Sequence, residues 1–286
     1  MLSILNSVSS LQAENAISNT TNALNNNLQE LSTGLRITNG SSDAAGLSIA
    51  NGLQANIAAL TQSGNNASDG VGLLQTADGA LSQVTGLLDT AMTLATEASN
   101  GGLSASQSAA LDQQYAAIQA EIDNIGSTTD FNGAAVFGTT GSVYQTDGTT
   151  GGSSTTSVAI GALSSAGTGG LGLTTDYTSK AGVITASGVL DTTAGAQTEV
   201  AKISAAIESV AAERGAIGAQ VNSLQASEGV ETTAVTNLTS AMNSIQNADI
   251  GQTVAQMTQN SVLEQTGMAA LSQSNQIQQN VLKLLQ

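Results

Sequence analysis

Two stretches in the first half of the chain place apolar residues at alternating steps of three and four. The first contains Leu74, Ala77, Leu81, Val84, Leu88, Ala91, Ala95 and Ala98, and the second Leu111, Tyr115, Ile118, Ile122 and Ile125. This spacing puts the apolar side chains on one stripe of an α-helix, as in coiled-coil seams. Between the stretches, Asn100-Gly101-Gly102 predicts a turn with positive-φ residues. Ser104, with Gln107 three residues later, predicts that the second helix begins with a capping box.

A third apolar stripe occupies the second half of the chain. Its members are Val200, Ile203, Ile207, Val210, Ile217, Val221, Leu224, Val235, Leu238, Met242 and Ile245. Arg214, Glu228 and Glu231 fall on the same stripe. Such long side chains could lie at an edge and reach water or pair with neighbours, or they could set the register between helices. We favour the first interpretation.

The two ends of the chain are also periodic. Apolar residues recur at Leu24, Leu28, Leu31 and Leu35, and again at Val254, Met257, Met268, Leu271, Leu282 and Leu285. The second set is spaced by 3 and 11 residues, and an eleven-residue repeat favours a straight or slightly right-handed supercoil. Several glycines lower the helix propensity of the chain, so partners are needed to order the helices. We expect these stripes to be poorly covered in a monomer and buried by lateral packing.

The middle of the chain, residues 138–194, is rich in Gly, Ser and Thr. Short β-type runs at Ser142–Tyr144, Ser157–Ile160 and Gly182–Thr185 predict small hairpins on the outside of a helix bundle. Low-complexity disorder is the alternative. The expected fold is therefore mainly α: long helices forming a coiled-coil-like rod from paired N- and C-terminal segments, with a small β-hairpin region in the middle.

Composition argues against most kinds of chemistry. The 286 residues contain no His, Cys, Pro or Trp, and 5 basic residues stand against 21 acidic ones, a net charge of −16. The common general base and the thiol nucleophile are therefore missing, and too few cations are available for nucleic acid or an anionic membrane. The pattern G-x-G-x-x-G at Gly167–Gly172 lacks the strand and helix that a dinucleotide site requires. We expect no enzyme activity, cofactor or metal. The first residues have no basic region or sustained apolar core, so we expect no cleaved signal peptide.

Several motifs together carry a family resemblance. Residues 31–51 are LSTGLRITNGSSDAAGLSIAN, residues 65–70 are NNASDG, residues 76–81 are TADGAL, residues 130–133 are DFNG, and residues 279–286 are QNVLKLLQ. In this combination the chain resembles the bacterial flagellins, at both ends and over about four fifths of its length, and the resemblance fades in the middle.

The resemblance implies a domain arrangement. Residues 1–40 and 247–286 correspond to the terminal helices that line the filament core, called D0. Residues 41–137 and 195–246 correspond to the helical rod called D1, and residues 138–194 to a short variable segment without large outer domains. The expected polymerisation seams contain Leu24, Leu28, Leu31, Leu35, Arg36, Asp43, Ala44, Ala45, Gly46, Val254, Met257, Met268, Leu271, Val281, Leu282 and Leu285.

The implied function is that of a structural subunit of the extracellular flagellar filament. Its implied partners are other copies of itself, hook-associated junction and cap proteins, an export chaperone and the type III export apparatus. The alternatives are a hook–filament junction protein, a coiled-coil adhesin and a flagellin with a catalytic insert. In some flagellins an Arg, Leu and Glu patch is bound by an innate immune receptor. Here Thr90, Leu94 and Gln114 stand at those positions, so we predict weak receptor activation.

Overall fold

The computed structural model describes residues 8–146, 153–165, 170–174, 177–180 and 183–284. These residues form the helices α1 (Val8–Thr33), α2 (Ala44–Ala98), α3 (Ala105–Thr128), α4 (Thr193–Gln246) and α5 (Ile250–Leu284). The strands are β1 (Asp130–Phe131), β2 (Ala134–Ala135), β3 (Thr140–Thr146), β4 (Ser153–Ala159), β5 (Tyr177–Lys180) and β6 (Val183–Ala186). The mainly α fold with a small β region in the middle is confirmed.

The chain divides into two compact units. Unit 1 comprises Met1–Ile57 and Thr236–Gln286, and unit 2 comprises Ala58–Val235. Helices α2 and α4 each contribute to both units.

The core of unit 2 is built from the three predicted stripes. All eight residues of the first stripe are buried on α2, and Leu111, Tyr115 and Ile122 of the second are buried on α3. The third stripe lies on α4, and its buried members belong to the same core, namely Ile203, Val210, Ile217 and Leu224. Because each stripe occupies one side of its helix, the helices bury these stripes against one another.

The turn between α2 and α3 differs in part from its prediction. The main-chain N–H of Ser104 donates to Oε1 of Gln107 at 2.9 Å, and α3 begins at the next residue, as expected. The positive φ expected in Asn100-Gly101-Gly102 is absent, because the positive-φ residues of the described chain lie elsewhere. Helix α2 instead ends with ordinary turn bonds, Ser99 N–H to Ala95 O and Asn100 N–H to Glu97 O, both at 3.0 Å.

The described residues of the middle segment form three antiparallel strand pairs. β1 and β2 are joined by Asn132 and Gly133, with φ of 53° and 76°, a two-residue turn that matches the strand twist. β3 pairs with β4 and β5 with β6. The described parts of the predicted runs lie in or beside β3, β4 and β6, which confirms the hairpins, whereas β5 was not predicted.

The expectation that this segment lies outside the bundle is wrong for its apolar side chains. Val158, Ile160, Leu163 and Leu173 are buried and belong to the core of unit 2. Val143 of β3 packs against Gly70 of α2 so closely that a Cβ there would lie 2.6 Å from Val143 Cγ2. A chain poor in large apolar residues uses its middle segment to complete the core.

The charged residues on the third stripe behave differently from one another. Arg214 Nε lies 2.7 Å from Asp78 Oδ1 at a partly exposed edge, and this hydrogen bond and charge raise the pKa of Arg214. Glu231 is buried, and its Oε1 accepts a hydrogen bond from Ser63 Oγ of α2 at 2.5 Å. The edge interpretation therefore holds for Arg214 and is wrong for Glu231, which links two helices.

Candidate assembly surface

Helices α1 and α5 of unit 1 pack against each other in antiparallel register. Ser10 Oγ donates to Asn275 Oδ1 at 3.3 Å, and Thr21 Oγ1 donates to Glu264 Oε1 at 3.4 Å. The two bonds are 11 residues apart on each helix and run in opposite directions, so one register fits both. Ile17 packs against Gly267, where a Cβ would lie 2.9 Å from Ile17 Cγ1.

Large apolar side chains of this pair point away from the contact. We call them the outward apolar set: Val8, Leu11 and Leu28 of α1, and Ile250, Val254, Val262, Leu263, Met268 and Ile277 of α5. Each is at least 39% exposed. The half-buried positions of the two helices include apolar side chains such as Leu24 and Leu271 as well as polar ones such as Thr21 and Glu264. Since helix pairs are stabilised mainly by burying an apolar face, this pair has much apolar surface left for a further partner.

The segment after α1 is bonded to the connection between α4 and α5. Gly34 has φ +72°, and its carbonyl oxygen accepts the N–H of Ala248 at 2.9 Å. Leu35 forms an isolated antiparallel bridge with Asn247. Arg36 donates its main-chain N–H to Gln246 O at 2.7 Å and its Nη2 to Ile245 O at 2.6 Å. These bonds hold the segment after α1 against the connection between α4 and α5.

The start of α2 explains the sequence DAAG. Asp43 Oδ1 accepts the N–H of Gly46 at 2.8 Å and so caps the helix. Gly46 is buried, and a Cβ at this position would overlap the Asp43 carboxylate and lie 2.7 Å from Cδ1 of Ile37. Ile37 is 1% exposed. A glycine is therefore needed here for close packing, whereas Ala44 and Ala45 are exposed.

Comparison with known proteins agrees with this geometry. Residues 4–142 match the family described as the bacterial flagellin N-terminal helical region, and residues 200–285 match the bacterial flagellin C-terminal helical region. The chain belongs to the bacterial flagellins.

Two curated flagellins resemble the chain along nearly its whole length. The flagellin of Halalkalibacterium halodurans is 32% identical and covers 90% of each chain. The flagellin of Bacillus subtilis is 29% identical and covers 99% of each. A crystal structure of Bacillus cereus flagellin matches 62% of this chain and 94% of its own, with 29% identity and a TM-score of 0.46.

The predicted seam residues of this flagellin take several positions in unit 1. Leu24, Leu31, Leu35, Met257 and Leu271 are half-buried, whereas Leu28, Val254 and Met268 are exposed. Val281 and Leu282 belong to α5, but their side chains and the whole of Leu285 lie outside the described residues.

Sequence reasoning missed six members of the outward apolar set on α1 and α5: Val8, Leu11, Ile250, Val262, Leu263 and Ile277. They do not follow a single stripe. A prediction based on one periodic stripe therefore omits them, although the sequence shows them as large apolar residues on otherwise polar helices.

The possible receptor patch lies in unit 2 of the flagellin. Thr90 and Gln114 are exposed, whereas Leu94 is 9% exposed and belongs to the core. A partner could touch Leu94 only at its edge.

Within the described ranges of the chain, no three His, Cys, Asp or Glu side chains come together as metal ligands. No helix there has the length and apolar character needed to cross a membrane.

Proposed function

We propose that this chain is the structural subunit that self-assembles into the helical flagellar filament for swimming. The observation that carries the proposal is the outward apolar set of α1 and α5. A fully buried Leu, Val or Met contributes about 1.5–3 kcal/mol relative to an exposed one, so the set can hold neighbouring subunits together. Repeated head-to-tail contacts of this kind generate helical assemblies.

We assign the filament core to residues 1–40 and 247–286, and the surrounding helical layer to residues 41–137 and 195–246. Residues 138–194 form the variable part of that layer. The antiparallel pairing of α1 with α5 supports the first assignment, and the shared core of α2, α3 and α4 supports the second.

The polymerisation seams in this proposal include Leu28, Val254 and Met268, which are at least 39% exposed. The half-buried Leu24, Leu31, Met257 and Leu271 border them. Arg36 and the segment Asp43–Gly46 act indirectly. Arg36 bonds the segment after α1 to the end of α4, and Asp43 caps the start of α2.

The finer partners belong to the same proposal. Export through the type III apparatus without a cleaved signal peptide, an export chaperone, and contacts with hook-associated junction and cap proteins would follow from a filament role. The family is structural, and the absence of His and Cys from the sequence supports a role without catalysis. Weak activation of an innate immune receptor stays a prediction for Thr90, Leu94 and Gln114.

The test is electron microscopy of the purified full chain after seeding with filament fragments. Long uniform tubes are expected, and a chain that lacks Val254–Gln286 should form none. If the full chain remains a soluble monomer under seeding, the filament role is contradicted and a junction or capping role is favoured.

A further inference from the structure

One side of α3 carries a row of polar residues that sequence analysis did not single out. Asp112, Gln119 and Asp123 are separated by seven and four residues, so they share one side of the helix. Asp112 and Gln119 are 2% and 0% exposed. The row is displaced by one residue from the apolar stripe, so α3 presents an apolar stripe and an adjacent polar row.

The polar row binds main-chain groups of the middle segment. Asp112 accepts the N–H of Gly188 on Oδ2 at 2.8 Å and the N–H of Leu190 on Oδ1 at 2.7 Å. Asp123 Oδ1 accepts the N–H of Ser165 at 2.5 Å. We call the described residues 161–165, 171–174 and 188–190 the strap.

Helix α4 holds the strap in the same way. Glu199, 1% exposed, accepts the N–H of Thr174 on Oε1 at 2.9 Å and the Thr174 hydroxyl on Oε2 at 2.9 Å. Tyr115 also donates to Glu199 Oε1, at 2.7 Å. Glu213 Oε1 accepts the N–H of Gly161 at 2.9 Å.

Two more contacts show that the strap lies directly on α3. Gln119 Nε2 donates to the carbonyl oxygen of Thr174 at 2.8 Å, so both main-chain groups of Thr174 are bonded to helix side chains. At Gly126 a Cβ would overlap the carbonyl oxygen of Leu163. Gly126 lies on the same side of α3 as the polar row, and its lack of a side chain lets the main chain of the strap approach the helix.

We propose that the strap is a latched element that opens separately from the helices, and that Asp112 and Glu199 are its main latches. The stripes of α2, α3 and α4 form a shared core cluster to which the strap adds Leu163, Leu173 and Leu190. Five main-chain N–H groups of the strap are bonded to helix carboxylates, whereas those of Leu171 and Leu173 bond to carbonyls of the strap itself. Removing a carboxylate leaves a buried N–H without an acceptor, which favours a state in which water reaches it. Such opening would expose the three leucines while the helices remain folded.

The test is amide hydrogen exchange of the full-length chain, read by mass spectrometry. In Asp112→Asn one of the two N–H groups loses its acceptor, and exchange at Gly188 and Leu190 should become at least about tenfold faster. Glu199→Leu, which removes both acceptor oxygens, should have the same effect at Thr174. Peptides from α2 and from the buried part of α4 should be unchanged. Glu121→Gln, an exposed charge removal on α3, is the matched control and should leave the strap as in the original chain.

Two outcomes would overturn the proposal. One is unchanged exchange in the strap of both variants. The other is an equal acceleration in the strap and in the buried helix peptides, which would make them one cooperative unit. If a variant fails to fold, the unmodified chain is measured at increasing urea below its unfolding transition. A latched strap opens with a smaller urea dependence than the helices, and identical dependences would contradict the latch.

Discussion

Arg36 and Ile245 are joined by a hydrogen bond of 2.6 Å from the guanidinium Nη2 to the carbonyl oxygen. The main-chain N–H of Arg36 bonds to the next carbonyl, that of Gln246, at 2.7 Å. Both carbonyls lie in the last turn of α4, where helix geometry leaves them without partners of their own. A positive charge is also favourable at a helix C-terminus. Arg36 therefore acts as a cap supplied from a distant part of the chain.

Replacing Arg36 by Gln should lower the free energy of unfolding by about 1 kcal/mol, since the charged donor to the Ile245 carbonyl is shortened and neutralised, while the main-chain bond to Gln246 is kept. Urea unfolding followed by circular dichroism measures this. Ser48→Ala, at an exposed site on α2, is the control and should change nothing. Equal stability of the two variants would show that the Arg36 cap contributes nothing.

Two glycines in α2 give a paired test of the packing at the start of that helix. Gly46→Ala should destabilise by about 1–3 kcal/mol, because the methyl group meets Asp43 and Ile37. Gly52→Ala, with nothing within 4 Å of the added Cβ, should be neutral or stabilise by up to about 1 kcal/mol. Thermal unfolding of both variants measures the difference, and a Gly46→Ala protein as stable as Gly52→Ala would contradict the packing.

A second glycine pair tests how the β3–β4 hairpin is seated. A Cβ at Gly70 would lie 2.6 Å from Val143 Cγ2 and 3.1 Å from Leu224 Cδ1, whereas nothing lies within 4 Å of one at Gly79. We expect Gly70→Ala to speed amide exchange in β3 by about tenfold or more and Gly79→Ala to leave it unchanged. Unaltered exchange in Gly70→Ala would mean that the hairpin does not rest on α2 at this point.

Ser63 links Glu231 to the main chain of Thr146 through two hydrogen bonds, and this link can be tested by mutation. Ser63 Oγ donates to Glu231 Oε1 at 2.5 Å and accepts the N–H of Thr146 at 3.0 Å. Ser63→Ala leaves a buried carboxylate oxygen and an N–H without these partners, so a loss of about 2–4 kcal/mol is expected. Glu231→Gln keeps an acceptor for the serine and should cost less. Chemical denaturation of both variants measures the loss of unfolding free energy, and a larger loss in Glu231→Gln would contradict this role of Ser63.

The helices of unit 2 could be predicted because their apolar stripes pack by a simple periodic rule. The stripe from Leu74 to Ala98 is buried throughout, and α3 begins where Ser104 predicts. Such local patterns depend on residues that are close in sequence.

The position of the middle segment could not be predicted, because the groups that hold it are distant in sequence. Leu190 is bonded to Asp112 and Thr174 to Glu199, through main-chain N–H groups that carry no sequence signal of their own. Glu231 was misjudged for a related reason, since its partner Ser63 lies on another helix.

The eleven-residue interpretation of the apolar positions of α5 stays a prediction. The half-buried Met257, Glu264 and Leu271 are seven residues apart, and Glu264 accepts a hydrogen bond from Thr21 of α1. The contact with α1 therefore uses a heptad spacing that includes a polar residue, whereas Val254 and Met268 are exposed.

We expect the outward apolar set of α5 to hold subunits together. The most direct test is the critical concentration for seeded filament growth of Leu263→Gln/Met268→Gln, measured by sedimentation and electron microscopy. Gln preserves helix propensity, and Gln259→Ala/Gln265→Ala, at exposed polar sites of the same helix, is the control. We expect at least about a tenfold higher critical concentration for the first variant and no change for the control. Growth of the first variant at the original concentration would contradict it.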